Sequence, residues 1–153
     1  FHDNDFYLLV VGGGILEEET KKLAKEKGIE DRVIITGKFK EEDKVKFYSA
    51  LDTFILPSLA EGFGIVLVEA MYNSLPIIAS DLEVLKEVGG STVSFFKKGD
   101  PSDLSEKMVG TYNKISVDGN ILGENAKKRV KENYIMKKFV ANYLNLYTKL
   151  VNK

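Results

Sequence analysis

The sequence predicts an α/β fold built on a doubly wound parallel sheet with a helical carboxy-terminal tail. Three observations carry that prediction: short β-prone apolar runs alternate with helical stretches, the connections are short, and residues past 119 show only helical periodicity. Phe6 to Val11 (FYLLVV) is expected as a buried strand ending at Gly12-Gly13-Gly14, followed by an amphipathic helix from Leu16 to Lys27 that Gly28 stops. Val33 to Thr36 is a second strand, and a helix from about Glu41 to Ala50 follows Gly37. Thr53 to Leu56 is a third strand, closed by Pro57-Ser58. Next come a helix from Ile65 to Tyr72, a strand from Pro76 to Ala79, a short helix from Glu83 to Val88 and a strand from Thr92 to Phe96. Asp100-Pro101-Ser102-Asp103 combines a capping acid, proline in the first turn and an acid three residues past the cap, so a helix starts there. Beyond Val117-Asp118-Gly119 lie two more helices, Ile121 to Asn133 and Met136 to Val151. Phe139, Val140, Tyr143, Leu144, Leu146, Tyr147 and Leu150 give the last one an apolar face, expected to be core. The basic run Lys127-Lys128-Arg129 with Lys131 is expected to be a solvated face.

Composition narrows the function. A chain of 153 residues, 44% of them hydrophobic, suits one domain with a real core, and no apolar run is long enough to span a bilayer. A formal net charge of −1 argues against binding nucleic acid through bulk charge. There is no cysteine and His2 is the one histidine, so no disulfide is possible and no zinc or other metal site is expected. No signal-peptide pattern opens the sequence, and a cytoplasmic location is the expectation.

In doubly wound sheets, ligands sit outside the carboxyl ends of the strands. Here those ends are Gly12 to Gly14, Gly37 to Phe39, Pro57 to Gly64 and Ser80-Asp81, expected to face one crevice. The glycines after the first strand fit a dinucleotide fingerprint only in part, because its third glycine would fall on Glu17. Taken alone, they are better explained by a tight strand-to-helix turn than by close approach to a phosphate or base. Glu61 to Met71 (EGFGIVLVEAM) is more telling. Its helix is apolar nearly all round and is expected to be buried, which puts the Glu69 carboxylate where ionised groups are costly without partners. Glu61 precedes Gly62-Phe63-Gly64, a tripeptide that lets a ligand approach the backbone and leaves N–H groups open at the helix start. On residue types alone the pair is either a ligand site or a loop acid plus a salt-bridged helix acid.

Leu56 to Asp81 (LPSLAEGFGIVLVEAMYNSLPIIASD) resembles the core motif of glycosyltransferase family four, in which two glutamates are separated by seven residues. LLVVGGG and VIITGKFKEEDKVKFYSALDTFILPS upstream, with EVLKEVGG and GDPSDLSEKM downstream, resemble the family's flanking runs, so the likeness covers Leu8 to about Met108. The resemblance implies a retaining hexosyltransferase-type enzyme of GT-B architecture. This chain would be its Rossmann-like carboxy-terminal donor domain, one domain over residues 1–153, and the amino-terminal acceptor domain would lie outside it. By the same resemblance, Glu61 is the catalytic-site glutamate beside the donor sugar and Glu69 holds the nucleotide ribose hydroxyls. Gly62, Phe63, Gly64 and Ile65 present backbone to the sugar or phosphates, and Gly37 and Lys38 lie near the base. Gly12 and Gly13 complete the expected donor-binding set.

The physics of the pair agrees, since a carboxylate only accepts hydrogen bonds and a diol offers two donors. About 7.5 Å of helical rise separates Gly64 from Glu69, which suits two jobs along one donor rather than a glycosidase pair about 5 Å apart. The implied chemistry needs no metal or cofactor beyond the nucleotide-diphosphate sugar. The acceptor would be a saccharide or lipid-linked saccharide of polysaccharide biosynthesis, with peripheral membrane association in the full enzyme. Two departures stand out: the family's diphosphate-binding Arg and Lys fall before Phe1, so the chain alone is expected to be inactive, and Ser74 stands where the family has Gly. The alternative reading is a non-catalytic nucleotide or nucleotide-sugar binding module. A receiver-like signalling domain would instead need acids where Gly12 to Gly14 stand.

Overall fold

A computed structural model describes residues 6–118 and 120–152; His2 and Gly119 lie outside the described residues. The architecture is α/β with parallel strands, and the chain divides into two compact units, Phe1–Ser49 and Ala50–Lys153.

The first unit runs β1 (Leu8–Val10), α1 (Glu17–Glu26), a 3₁₀ turn (Glu30–Arg32), β2 (Val33–Ile35), a second 3₁₀ turn (Glu41–Asp43) and α2 (Lys44–Ser49). β1 and β2 pair in parallel, Leu9 opposite Ile34. Gly28, at φ +64°, ends α1: its N–H and that of Ile29 return to the carbonyls of Lys25 and Ala24. The expected buried first strand is not buried: Leu8 is 48% exposed and Val10 only half-buried. Two three-residue strands offer too little surface to be covered on both faces.

The second unit holds β3 (Phe54–Leu56), α3 (Ile65–Tyr72), β4 (Ile77–Ser80), α4 (Glu83–Gly89), a 3₁₀ turn (Gly90–Thr92), β5 (Ser94–Phe96), α5 (Pro101–Asp118), α6 (Ile121–Asn133) and α7 (Met136–Val151). Its sheet is parallel in the order β3-β4-β5, with Ile78 opposite both Ile55 and Ser94. Every residue of β4 is buried, as the unbroken apolar run Ile77-Ile78-Ala79 demands of a central parallel strand. Leu67, Ala70 and Met71 of α3 and Leu85 of α4 complete the core, all at 0% exposure. Each fully buried Leu or Met side chain contributes about 1.5–3 kcal/mol of transfer free energy.

The expected helix start at Asp100 forms as its residues dictate. Asp100 Oδ1 accepts from the N–H groups of Ser102 and Asp103 at 3.0 and 3.2 Å, with Pro101 as first helical residue. The turn after α3 also forms, despite the serine. Ser74 takes the left-handed conformation at φ +58°, its N–H bonds the Met71 carbonyl, and the Leu75 N–H bonds that of Ala70. That pairing is the usual glycine-terminated helix end, built here on a residue with a Cβ. α6 locks onto it: Asn120 Nδ2 donates to the Ser74 carbonyl at 2.8 Å while its Oδ1 caps the Gly123 N–H at 3.2 Å. A Cβ at Gly123 would collide with that same carbonyl oxygen.

Two expectations fail in the tail. The basic run is not simply solvated: Arg129 Nε and Nη2 donate to the carbonyls of Val88 and Glu87 at 2.7 Å each, where cations suit a helix carboxyl end. Lys127 sits 6.0 Å above the Tyr72 ring. α7 is not core either; none of its residues is buried. Periodicity reveals that a helix has an apolar face, and not that another element covers it.

Candidate functional site

β3 ends at Leu56 and the chain enters the loop that holds the first glutamate. Ser58 Oγ donates to Glu61 Oε1 at 2.9 Å, which fixes the half-buried carboxylate three residues on. Gly62 and Phe63 follow, both exposed, and Gly64 turns the chain into α3. Gly64 adopts φ +84°, ψ +52°, and a Cβ there would lie 2.6 Å from Leu85 Cδ2. Only glycine meets both demands. Its carbonyl starts the helix by accepting from the N–H groups of Leu67 and Val68 at 2.9 and 3.3 Å. Among the described residues, the N–H groups of Gly62 to Val66 find no protein acceptor. An open row of donors at a helix start attracts anions.

The expectation that α3 is buried all round is corrected. Leu67, Ala70 and Met71 face the core, but Ile65 is 66% exposed, and Val66 and Tyr72 are exposed as well. Glu69 lies on that outer side, one turn past Ile65 and nearly one before Tyr72, and is half-buried. Its carboxylate is therefore not stranded in a dry core. It sits within an apolar patch of Phe63, Ile65, Val66 and Tyr72 that a helix of this composition leaves in contact with solvent.

Two contributors were missed from sequence. Ser58 holds Glu61, and its signal was present in the three-residue spacing. Tyr134, at the end of α6, packs edge-on against Phe63 with ring centroids 6.0 Å apart, and its hydroxyl reaches the Glu87 carbonyl at 3.4 Å. Phe63 and Tyr134 are 71 positions apart in the chain, so nothing local announces that contact.

In the first unit, Gly12, Gly13, Gly37 and Lys38 come together at the carboxyl ends of β1 and β2. Gly12 bridges Gly37 in antiparallel fashion, and the Gly12 N–H donates to Thr36 Oγ1 at 3.1 Å. A Cβ on Gly13 would stand 3.2 Å from the Lys38 nitrogen. A shallow cavity of about 270 Å³ opens beside Gly12, Gly13 and Gly14, bounded by Val10, Leu16, Glu17 and Ile35. The Lys38 side chain is exposed. Among the described residues, no group of three or more His, Cys, Asp or Glu side chains could hold a metal ion.

Comparison with known proteins agrees with this picture. The chain is similar to O-antigen chain mannosyltransferase C of Escherichia coli, 28% identical over 155 aligned residues that cover 94% of this chain and 40% of that protein. Its structure is similar to sucrose-phosphate synthase from Thermosynechococcus elongatus, with a TM-score of 0.77 at 26% identity, covering 95% of this chain and 38% of that one. It also matches the fold of Anabaena HepE, solved in complex with UDP, with a TM-score of 0.78 at 21% identity over 97% of this chain and 41% of that one. The chain thus spans about two fifths of the length of these relatives. Residues 2–129 match the family described as glycosyl transferases group 1, and the chain belongs to that family.

Proposed function

We propose that this chain is the donor-binding domain of a retaining GT-B glycosyltransferase of family four, one that takes a nucleotide-diphosphate sugar. The observation that carries the proposal is the glycine-opened start of α3. Gly64 leaves a row of unbonded N–H groups between two carboxylates, one braced by Ser58 and one set in an apolar patch. In this reading the diphosphate or sugar lies over the amides of Phe63, Gly64 and Ile65, where the partial positive charge of the helix start stabilises it. Glu61, oriented by Ser58, accepts from sugar hydroxyls and is the catalytic-site residue. Glu69 accepts from the two ribose hydroxyls, and the apolar surround strengthens those charged hydrogen bonds.

For the first unit the proposal is narrower: Gly12, Gly13, Gly37 and Lys38 are backbone and side-chain positions that a nucleotide can approach closely. The UDP in Anabaena HepE supports a nucleotide as ligand, and the mannosyltransferase relative supports a hexose as the group transferred. In the longer protein the departing phosphate would accept the proton of the acceptor hydroxyl on the face where the new bond forms, which retains configuration. The acceptor saccharide would be held outside residues 1–153.

The test is a titration of the chain with UDP, GDP and ADP, followed by amide chemical shifts. One nucleotide should move the signals of Gly62 to Val66, and Glu69→Gln should weaken it by about tenfold or more, since a hydrogen bond to a charged group is worth about 1.5–3 kcal/mol. Were none of the three to bind at millimolar concentration, even to a chain extended upstream, the donor-domain reading would be abandoned. Product formation by the longer protein, lost in Glu61→Gln, separates an enzyme from a binding module.

A further inference from the structure

α6 runs antiparallel to α3 and outreaches it. Asn120, Lys127 and Tyr134 recur every seven residues, so they share one side of α6, two turns apart. Each meets α3 or its flank in reverse order: Asn120 the Ser74 carbonyl, Lys127 the Tyr72 ring, Tyr134 the Phe63 ring. The 13 residues of α6 rise about 20 Å and the eight of α3 about 12 Å. With one end of α6 tied just past the end of α3, its other end overhangs the start, and Tyr134 stands there as the carboxy-terminal cap residue.

The stretch it reaches is held at both ends and loose between them. Ser58 holds Glu61, and from Gly64 onward Leu67 and Leu85 pack the chain into the core. A Cβ on Gly62 would meet nothing within 4 Å. In Gly62-Phe63-Gly64 the phenylalanine carries the one side chain, so its ring is the handle by which tertiary structure can fix a tripeptide whose glycines impose little order. The half-buried Tyr134 ring meets it edge-on, with centroids 6.0 Å apart and planes at 75°. The Tyr134 hydroxyl reaches the Glu87 carbonyl at 3.4 Å, and that carbonyl already accepts from Arg129 Nη2 at 2.7 Å. The long hydroxyl bond is the lesser tie, which leaves the ring as the main contact.

We propose that Tyr134 is a positioning residue for the loop before α3. Its ring holds Phe63, and through Phe63 the backbone N–H groups that follow Glu61, in the arrangement that a diphosphate or sugar meets. A loop ordered before its ligand arrives loses less freedom on binding, so Tyr134 strengthens binding without touching the ligand. The identity of that ligand rests on the donor-domain reading above. The ordering of the loop rests on the ring contact and stands without it.

The experiment compares the parent chain with Tyr134→Ala and Tyr134→Phe, first free and then titrated with UDP, GDP and ADP. In the free chain, backbone relaxation at Gly62, Phe63 and Gly64 should show more picosecond-to-nanosecond motion in the alanine variant and parent-like motion in the phenylalanine variant. Leu67, Ala70 and Met71, in the core, should be unchanged in both. The nucleotide that the parent binds should bind the alanine variant about threefold to tenfold more weakly, and the phenylalanine variant within about twofold of the parent. Should the alanine variant unfold, Tyr134→Leu, which keeps apolar bulk without the ring, takes its place and must show the same loosening. Loop motion equal in all the chains overturns the proposal. So does equal loosening in the alanine and phenylalanine variants, since the hydroxyl would then be the tie. Loosening that extends through Leu67, Ala70 and Met71 overturns it as well, since Tyr134 would then merely support the fold. Parent-like affinity in a variant with a loosened loop overturns the link to binding. If the parent binds none of the three nucleotides, the donor-domain reading fails, while the relaxation still decides whether Tyr134 orders the loop.

Discussion

Residues 6–49 and residues 50–152 are written in the same alternation of strand and helix, yet they bury it to different extents. In the first unit the buried apolar residues are Ala24 and Tyr48. In the second, Leu67, Ala70, Met71, Ile78, Ala79 and Leu85 are all at 0% exposure. Alternation specifies elements. A core needs in addition a strand with neighbours on both edges and helices to cover it, and β4 has both while neither β1 nor β2 does. The glycines that exclude a side chain outright, Gly64, Gly89 and Gly123, lie in the second unit, whereas Gly13 in the first is tight without a collision and Gly12 and Gly14 have open space where a Cβ would point.

The largest expected effect tests that division. Gly64→Ala must place a Cβ 2.6 Å from Leu85 Cδ2 on a left-handed backbone, and should cost the second unit about 2–4 kcal/mol. Gly14→Ala in the first unit meets nothing within 4 Å and should change stability by no more than about 0.5 kcal/mol. Urea unfolding followed by amide signals from each unit reads both, and equal losses would erase the contrast.

A smaller change of opposite sign sharpens it. Ser74→Gly relieves a non-glycine residue at φ +58° and keeps the carbonyl that Asn120 uses, so the second unit should gain about 1 kcal/mol. A lower urea midpoint would mean that the serine hydroxyl contributes a stabilising contact.

The smallest effect concerns alkaline pH. Hydrogen bonds to Glu17 and then Glu18 hold the Lys21 ammonium well above the ordinary lysine range; in the second unit a hydrogen bond to Glu83 raises Lys86 less. A raised folded-state value gives stability that is complete below the ordinary lysine value of 10.5 and is lost as pH rises through the raised one. α1 should therefore loosen above pH 10.5 more than α4 does, by a small amount because both lysines lie at the surface, where solvent screens them. Circular dichroism of Lys21→Met against the parent chain across that range checks the sign, and high salt should flatten the difference.

Much of this was legible in the sequence because it is local. α3, α6 and α7 occupy the residues that periodicity assigned, and the Asp100 cap is a matter of four consecutive residues. Glu61 and Glu69 stand on the loop and the helix where spacing placed them. What failed was burial. An apolar α3 read as wholly buried has a solvent-facing side, and an aromatic α7 read as core has no buried residue, because burial depends on neighbours that a window of residues cannot contain. The basic run failed for the same reason. Arg129 reaches Val88 across 41 positions, a distance over which hydrophobic pattern carries no information.

The Asn120 clasp has a mechanical consequence. One end of α6 is tied to the last turn of α3 through the Ser74 carbonyl, and Arg129, two turns further on, is tied to the last turn of α4. The three helices are thereby splinted, so a ligand that draws the start of α3 toward itself must carry α6 along or break the tie at Ser74. A probe fixed beside Asn120 would then register, past the other end of α3, an event at Gly64.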